Sequence, residues 1–162
     1  MRAKKQENLS LPFLIDIEDL LSKLVVFVLD LDGRQDPHVF TCEGPPVVSR
    51  QNLMRECRFI DLLVDCLRYP FSTKVFSIAQ LTQKAPMTRI CILVYRLLMH
   101  CVKGNTLNKT YVALWIDLFF KQAMVTTEDN NFGASDTIAE LLKDNAKMLD
   151  EHIDEKIIKE LI

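Results

Sequence analysis

Residues 49–71, SRQNLMRECRFIDLLVDCLRYPF, constrain the fold more than any other stretch, because their apolar side chains recur at steps of three and four. That spacing places them on one face of a helix, with Arg and Asp residues on the opposite side. The face comprises Leu53, Cys57, Phe59, Ile60, Leu63, Val64, Cys66 and Leu67. Ser49 is a suitable N-cap and Pro70 a suitable end. The stretch predicts one long amphipathic helix around which the chain is organised.

The rest of the chain has the same helical character. Its apolar spacing predicts further helices at about 16–29, 86–102, 108–124, 135–145, 147–152 and 154–162, joined by loops at 30–48, 72–84 and 126–133. We find no alternating strand pattern of useful length, and the chain has only 4 glycines. We therefore predict an all-α fold, most simply an armadillo-like helical solenoid segment over residues 16–162, preceded by a poorly ordered segment over 1–15.

Three of these helices carry more specific expectations. The first should bury Leu20, Leu21, Leu24, Phe27 and Val28. The helix over 86–102 is apolar almost all round, which is typical of a helix stacked between neighbours. Its polar residues form a single stripe of Arg89, Arg96, His100 and Lys103. We expect this stripe to face water, with an acidic partner as the alternative. Thr137 and Glu140 have the spacing of a capping box.

Composition excludes several classes of function. The formal net charge of -2 gives no general attraction to nucleic acid. The 5 cysteines lack the paired spacing of metal sites and predict reduced thiols in a cytosolic protein. The segment 30–36, DLDGRQD, lacks the glycine and glutamate positions of a calcium loop, so we expect no metal site and no cofactor. The histidines lie far apart without a nucleophile motif, which argues against an enzyme.

The longest apolar runs, 90–102 and 111–120, are too short to span a bilayer, and each contains a charged residue, Arg96 or Asp117. We therefore expect no direct membrane contact from this chain. The last predicted helix ends in Ile157, Ile158, Leu161 and Ile162 with no following repeat to cover them. This pattern predicts a domain truncated at its C-terminal end.

The run 50–56, RQNLMRE, resembles the Arg-Gln-Lys-Leu-Met-Arg-Glu that opens a helix in inositol trisphosphate receptors. In those receptors the helix lies in the homology domain that they share with ryanodine receptors, the RIH domain. Further similar blocks follow the same order along the chain, at 19–28, 90–100, 136–145 and 147–153. The resemblance is to the RIH family, and it is closest to the inositol trisphosphate receptors.

This resemblance implies a ligand site and also its loss. In the family, the helical domain closes against a β-trefoil to hold inositol trisphosphate, using Arg-x-x-x-Lys-x-x-Arg on this helix and a Tyr-Arg-Lys cluster further on. The matching positions here are Val48, Asn52, Arg55, Asn105, Thr106 and Leu107. Only Arg55 keeps its residue type. The candidate ligand residues are therefore Arg55, Asn52 and the neighbouring Arg50, with inositol trisphosphate binding weak or lost.

The resemblance also implies a function and partners. It predicts a cytosolic regulatory domain, as a fragment of an inositol trisphosphate receptor-like calcium-release channel of the endoplasmic reticulum, coupling ligand binding to gating. The partners would be the β-trefoil and neighbouring armadillo domains of a parent channel, which would be a homotetramer. The alternative is a free-standing, cytoplasmic helical scaffold for protein interaction that has lost the channel. Trefoil-type strands upstream and transmembrane helices downstream in the reading frame would distinguish the two.

Overall fold

The structure, a computed structural model, describes residues 10–33, 38–72, 85–125 and 132–143. These residues form seven helices and no strand, which confirms the predicted all-α class. The helices are α1 (Leu11–Val28), α2 (Val48–Glu56), α3 (Phe59–Ser72), α4 (Ala85–Val102), α5 (Thr106–Ala113), α6 (Ile116–Val125) and α7 (Ala134–Leu142). A helical solenoid is compatible with this arrangement. The predicted loop 72–84 and the predicted helices over 147–162 lie almost entirely outside the described residues.

Helix α4 is the centre of the described fold, and not the stretch 49–71 as predicted. It packs against α1, α2, α3, α5 and α7, while α6 packs on α7. By length and composition α4 could cross a membrane, but more than half of its residues are buried inside the folded chain. Its all-round apolar surface is therefore explained by helices stacked on several of its sides, as the sequence indicated.

The predicted long helix over 49–71 is two helices joined by a turn at Cys57 and Arg58. Arg58 adopts a φ of 60°, in the left-handed region, so the helix cannot continue through it. The break changes which face is buried. Helix α2 buries Gln51 and Met54, whereas Leu53 is 46% exposed. The cause is that α2 docks by its polar residues, a mode that apolar spacing does not report.

Both predicted ends of that helix are also wrong. Helix α2 begins at Val48, so Ser49 lies inside it and is not its cap. Helix α3 continues through Pro70 to Ser72, past the predicted end. Within α3 the predicted face is confirmed for its central residues, Ile60, Leu63, Val64 and Leu67, all buried. Cys57 in the turn and Cys66 on α3 are exposed, contrary to the prediction.

Helix α1 begins at Leu11, earlier than the predicted Asp16, because Pro12 is well suited to a first turn in which its missing N–H is not needed. Leu21, Val25 and Val28 are buried, but the predicted core residue Leu20 is 52% exposed. The other predicted core residues, Leu24 and Phe27, are half-buried against the same cluster. The core face of α1 is thus rotated slightly from the predicted one.

The later helices differ from prediction in detail. The single helix expected over 108–124 is interrupted by a turn at 114–115, which gives α5 and α6. Helix α7 starts at Ala134, after Gly133, whose φ of 94° favours glycine. Thr137 therefore lies inside the helix, where its hydroxyl donates to the carbonyls of Gly133 at 3.0 Å and Tyr95 at 3.2 Å. Thr137 does not form the predicted capping box with Glu140.

The basic stripe of α4 faces water, as predicted, only at its two ends, where the side chains of Arg89 and Lys103 are 55% and 42% exposed. Arg96 and His100 are turned away from water, and the segment 38–47 of the same chain supplies acidic and aromatic partners to the stripe. The Glu43 carboxylate lies 3.5 Å from the Arg96 guanidinium and 3.8 Å from Lys103 Nζ. Arg89 pairs with Glu18 at 2.5 Å and lies 5.2 Å from the Phe40 ring centre. His100 is fully buried.

All the cysteines are free, in agreement with the predicted reduced thiols. Cys91 and Cys101 are buried on α4, and burial raises the pKa of each thiol to about 12. Both are therefore protonated at neutral pH and behave as small apolar residues of the core. Cys42 is half-buried in the segment that covers the basic stripe.

Candidate phosphate site

The turn between α4 and α5 lies against α2, and this contact brings together the two groups of residues that the resemblance singled out. Asn105 Nδ2 donates to Asn52 Oδ1 at 2.9 Å. The Arg55 guanidinium donates to Asn108 Oδ1 at 2.7 Å. We call this region, made of α2 residues 51–55 and residues 105–108, the amide junction. The predicted candidates Asn52 and Arg55 therefore do lie beside the second group.

Buried amide side chains form the floor of the amide junction. Gln51 Nε2 donates to the carbonyl oxygens of His100 and Lys103, at 2.7 and 2.9 Å. Asn108 Nδ2 donates to the carbonyls of Gln51 and Cys101, both at 2.9 Å. The carbonyls at the end of a helix have no partner within the helix, so these amides satisfy groups that α4 leaves open.

Asn105 completes the network from the turn itself. Its Oδ1 accepts the backbone N–H of Asn108 at 3.1 Å and so caps the start of α5. Its Nδ2 also donates to Gln51 Oε1 at 3.2 Å. Gln51, Asn105 and Asn108 are all buried. A buried network in which every amide has partners fixes relative orientation as well as stability.

Sequence reasoning named Asn52, Arg55 and Asn105 but missed Gln51 and Asn108, whose side chains each make as many hydrogen bonds as the side chain of Asn105. Both are polar residues flanked by helical sequence, and the usual expectation is that such residues face water. The available signal was their placement at the end of one helix and the start of the next. Neutral amides at these places are suited to satisfying open helix ends.

Arg50 is engaged elsewhere. Its guanidinium donates to the Phe27 carbonyl at 2.6 Å and pairs with Asp30 at 2.9 Å and Asp32 at 3.2 Å. It also lies 4.7 Å from the centre of the Phe27 ring. These contacts fix the start of α2 to the last turn of α1 and the residues that follow it. They use most of the donors that a phosphate would need.

The other nearby cations are also paired. Lys109 is buried, lies 3.1 Å from the Glu140 carboxylate and donates to the Lys143 carbonyl at 3.0 Å. It therefore links α5 to α7 and does not line the amide junction. Arg58 is exposed and pairs with Asp61 at 3.3 Å. Neither residue replaces the lost cations in the part of the chain that the structure describes.

The rim of the junction is apolar where the resemblance would place cations. Val48 is 56% exposed and Leu107 is 66% exposed. Arg55 is the one cation bonded within the junction, and the Glu56 carboxylate lies 3.5 Å from its guanidinium. Charge-assisted hydrogen bonds contribute roughly 1.5 to 3 kcal/mol each, so one guanidinium supplies a small part of what a polyphosphate requires. The arrangement is suited to holding α2 against α5.

Metal binding has no comparable basis in residues 10–33, 38–72, 85–125 and 132–143. Among them no group of three or more His, Cys, Asp and Glu side chains is placed to hold a metal ion. The chemistry of the amide junction is that of neutral amides bonded to backbone carbonyls, with a single guanidinium at one side.

The geometry defines an all-α domain with a central apolar helix and a polar junction at its end. Comparison with known families is more specific: the model of the RIH domain matches residues 18–162, most of the chain. The chain belongs to the RIH domain family. This confirms the family predicted from the sequence, a regulatory domain of receptors of the inositol trisphosphate and ryanodine type. The closer kinship with the inositol trisphosphate receptors stays a prediction.

Proposed function

We propose that this chain is a regulatory helical domain of an inositol trisphosphate receptor-like calcium-release channel, in which a degenerate phosphate site has become a structural joint. The amide junction is the observation that carries the proposal. Two of the positions where related receptors would bind phosphate, Asn52 and Asn105, bond to each other, and a third, Arg55, bonds to Asn108. The domain would transmit movement between neighbouring domains, with α2 and α5 held together in the absence of a ligand.

The proposal includes a location and partners. The domain would lie on the cytosolic side of the endoplasmic reticulum membrane, between a β-trefoil and further armadillo domains of a homotetrameric channel. Two features support a role in contact and not in catalysis. Membership of the RIH family indicates a channel-type regulatory domain. The exposed apolar rim of Val48, Leu53 and Leu107 is suited to contact with protein.

Titration calorimetry with inositol trisphosphate tests the degenerate site. The chain is fused to the β-trefoil of a competent receptor, and we expect no measurable heat. Each missing cationic contact worth about 1.4 kcal/mol weakens binding about tenfold, so several losses remove useful affinity. Micromolar or tighter binding that disappears in Arg55→Ala would contradict the proposal.

A gain-of-binding variant makes the test sharper. Val48, Thr106 and Leu107 are exposed, so cations at these positions leave the buried amides intact. We expect Val48→Arg/Thr106→Arg/Leu107→Lys in the same fusion to acquire measurable affinity. The matched control is Leu20→Arg/Leu62→Arg/Leu114→Lys, which adds the same charge at exposed positions outside the junction. Equal gains in affinity for inositol trisphosphate in the two variants would show that net charge alone attracts the ligand. That result would contradict the proposal that the junction is a degenerate phosphate site.

The alternative is a free-standing helical scaffold, and the apolar rim favours it as well, because such surfaces mark protein contacts. The extended reading frame separates the two functions. Strands of a β-trefoil upstream and membrane-spanning helices downstream would support the channel. A transcript that encodes neither would support the scaffold.

A further inference from the structure

A cavity of about 180 Å³ lies between α4, the segment 38–47 and the start of α7. It shares no residue with the amide junction, and the proposed function does not use it. Its walls include Phe40, Ile92, Arg96, Met99, Phe132 and Asp136. Ile92, Arg96 and Met99 lie at steps of four and three along α4, so one face of that helix forms a wall of the cavity.

The size and lining of the cavity define one part of a ligand. Phe40, Ile92, Met99 and Phe132 supply an apolar wall with two aromatic rings. An apolar cavity of roughly 150 Å³ is known to accept benzene, so this one has room for a ring-sized apolar group. Burying such a group removes apolar surface from water, which favours binding without any polar contact.

Arg96 defines the charged part of the ligand. Its side chain is only 12% exposed. Its terminal nitrogen donates to the Cys42 carbonyl and lies 3.5 Å from Glu43, but its Nε is buried and has no hydrogen-bond partner among the described residues. A buried N–H of a cation that lacks an acceptor is costly, and a carboxylate oxygen is the acceptor that best relieves it.

Asp136 limits how much negative charge a ligand in this cavity can carry. It is exposed and stands in the first turn of α7, at the edge of the cavity. Its negative charge weakens the binding of any anion, although water at the opening screens it. The partial positive charge of the helix start acts in the opposite direction. A single negative charge on an apolar body suits these surroundings better than a multiply charged phosphate.

We propose that this cavity binds a small monocarboxylate with an apolar body about the size of benzoate. The carboxylate accepts the Nε–H of Arg96, and the body lies against Phe40, Ile92, Met99 and Phe132. The ligand would then join the segment 38–47 to α4 and to α7, because residues from all three contact the same molecule. Binding here is independent of inositol phosphates.

The test is a titration of the full chain with benzoate and, separately, with benzamide, followed by NMR of the methyl groups of Ile92 and Met99. Benzamide has the same shape without the charge. We expect saturable shifts with benzoate and at least tenfold weaker binding of benzamide. Arg96→Gln should weaken benzoate at least tenfold, while Arg68→Gln, a control at an exposed position of α3 outside the cavity lining, should leave it unchanged.

Asp136→Asn provides a second variant at an exposed position, useful because Arg96→Gln also removes contacts with Cys42 and Glu43. Loss of the like charge should tighten benzoate binding several-fold. Three results would overturn the proposal: equal affinities for benzoate and benzamide, no shift of the Ile92 and Met99 methyl groups with benzoate, or an unchanged affinity in Asp136→Asn. If Arg96→Gln does not fold, the result with Asp136→Asn decides.

Discussion

The body and the C-terminal end of α4 are held in the fold by different forces. Along the body, Leu93, Val94, Leu97 and Leu98 are completely buried among apolar side chains of neighbouring helices. At the end, the amides of the junction bond to the backbone carbonyls of residues 100, 101 and 103. Apolar contacts are non-directional and depend on area, whereas hydrogen bonds depend on geometry. Helix α4 is therefore held along its body by contacts that depend on buried area, and at its C-terminal end by contacts that depend on geometry.

This difference bears on how the domain would work. The apolar body can tolerate small shifts of packing without losing much free energy, because similar area stays buried. The amide junction cannot shift without breaking bonds to buried groups, which is costly. A displacement of α2 would therefore displace α5 and the end of α4 by a similar distance.

The largest expected effect tests the apolar body. Leu63 on α3 is 3% exposed and belongs to the core next to α4, so Leu63→Ala should lower the free energy of unfolding by about 2 to 5 kcal/mol. Leu97→Ala, at a fully buried position of α4, should do the same. Urea denaturation measures both changes.

Leu62 is the matched control for Leu63. It is the preceding residue on the same helix but is 57% exposed. Leu62→Ala should change the free energy of unfolding by less than about 0.5 kcal/mol, as is usual for surface positions. Equal effects of the two substitutions would show that α3 buries a different face from the one described.

The second prediction concerns His100, which lies where the two regions meet. Its carbonyl belongs to the amide junction, but its buried ring has no hydrogen-bond partner among the described residues. Burial above all, then the nearby Arg96 and to a smaller extent Lys103, lowers the pKa of His100 from 6.5 to about 4, while Glu43 opposes the shift. The unfolded chain therefore binds a proton between these pH values and the folded chain does not.

Stability from His100 is complete above pH 6.5 and is lost as the pH falls towards 4. The total loss should be about 3 kcal/mol, because a pKa difference of one unit corresponds to about 1.4 kcal/mol. We propose urea denaturation at several pH values for the wild type and for His100→Leu, which has no titrating ring. The dependence on pH over this window should be markedly weaker in the variant. Parallel curves would mean that the ring has access to water or to a partner.

The third prediction tests the amide junction directly. Asn108→Ala removes the partners of two carbonyls and of the Arg55 guanidinium, so it should destabilise the chain by about 1 to 3 kcal/mol. Asn52→Ala, with one bond to Asn105 at a half-buried position, should cost less than about 1 kcal/mol. Hydrogen exchange of α2 amides should accelerate in Asn108→Ala more than in Asn52→Ala. An equal effect would place the centre of the junction elsewhere.

These differences explain how much of the molecule the sequence could predict. The all-α class, the position of α4 and the buried face of α3 follow from apolar spacing, which records burial directly. The resemblance gave the family and pointed to Asn52, Arg55 and Asn105. It could not give Gln51 and Asn108 their roles, because a buried amide has the same sequence signature as a solvated one.

The pairing of Arg96 and Lys103 with Glu43 was only the alternative expectation, for a related reason. Charged residues on one face of a helix usually indicate water, and no local pattern shows that a loop about fifty residues earlier will supply Glu43 as a partner. The helix breaks at residues 57–58 and 114–115 were missed because apolar spacing continues across them. Tertiary packing, and not local preference, decides where such helices bend.

The smallest expected effect tests one of those breaks. Arg58 and Arg68 are exposed arginines, each paired with an aspartate three residues away on α3, at 3.3 and 3.1 Å. Both arginines are at least half exposed, so water screens either pair and the loss of either costs little, even though Asp61 is more buried than Asp65. The backbone differs: Arg58 has a φ of 60°, whereas Arg68 is inside the helix. A non-glycine residue in the left-handed region is disfavoured, and glycine removes that cost.

Arg58→Gly should therefore leave the free energy of unfolding within about 0.5 kcal/mol of the wild type or raise it, because relief of the backbone offsets the greater freedom of glycine in the unfolded chain. Arg68→Gly should lower it by about 1 kcal/mol, the usual cost of glycine inside a helix. The two variants, measured by urea denaturation, should thus differ by about 1 kcal/mol in a fixed direction. If Arg58→Gly were as destabilising as Arg68→Gly, residues 49–71 would form the continuous helix that the apolar spacing predicts. The separate docking of α2 on the amide junction would then have to be abandoned.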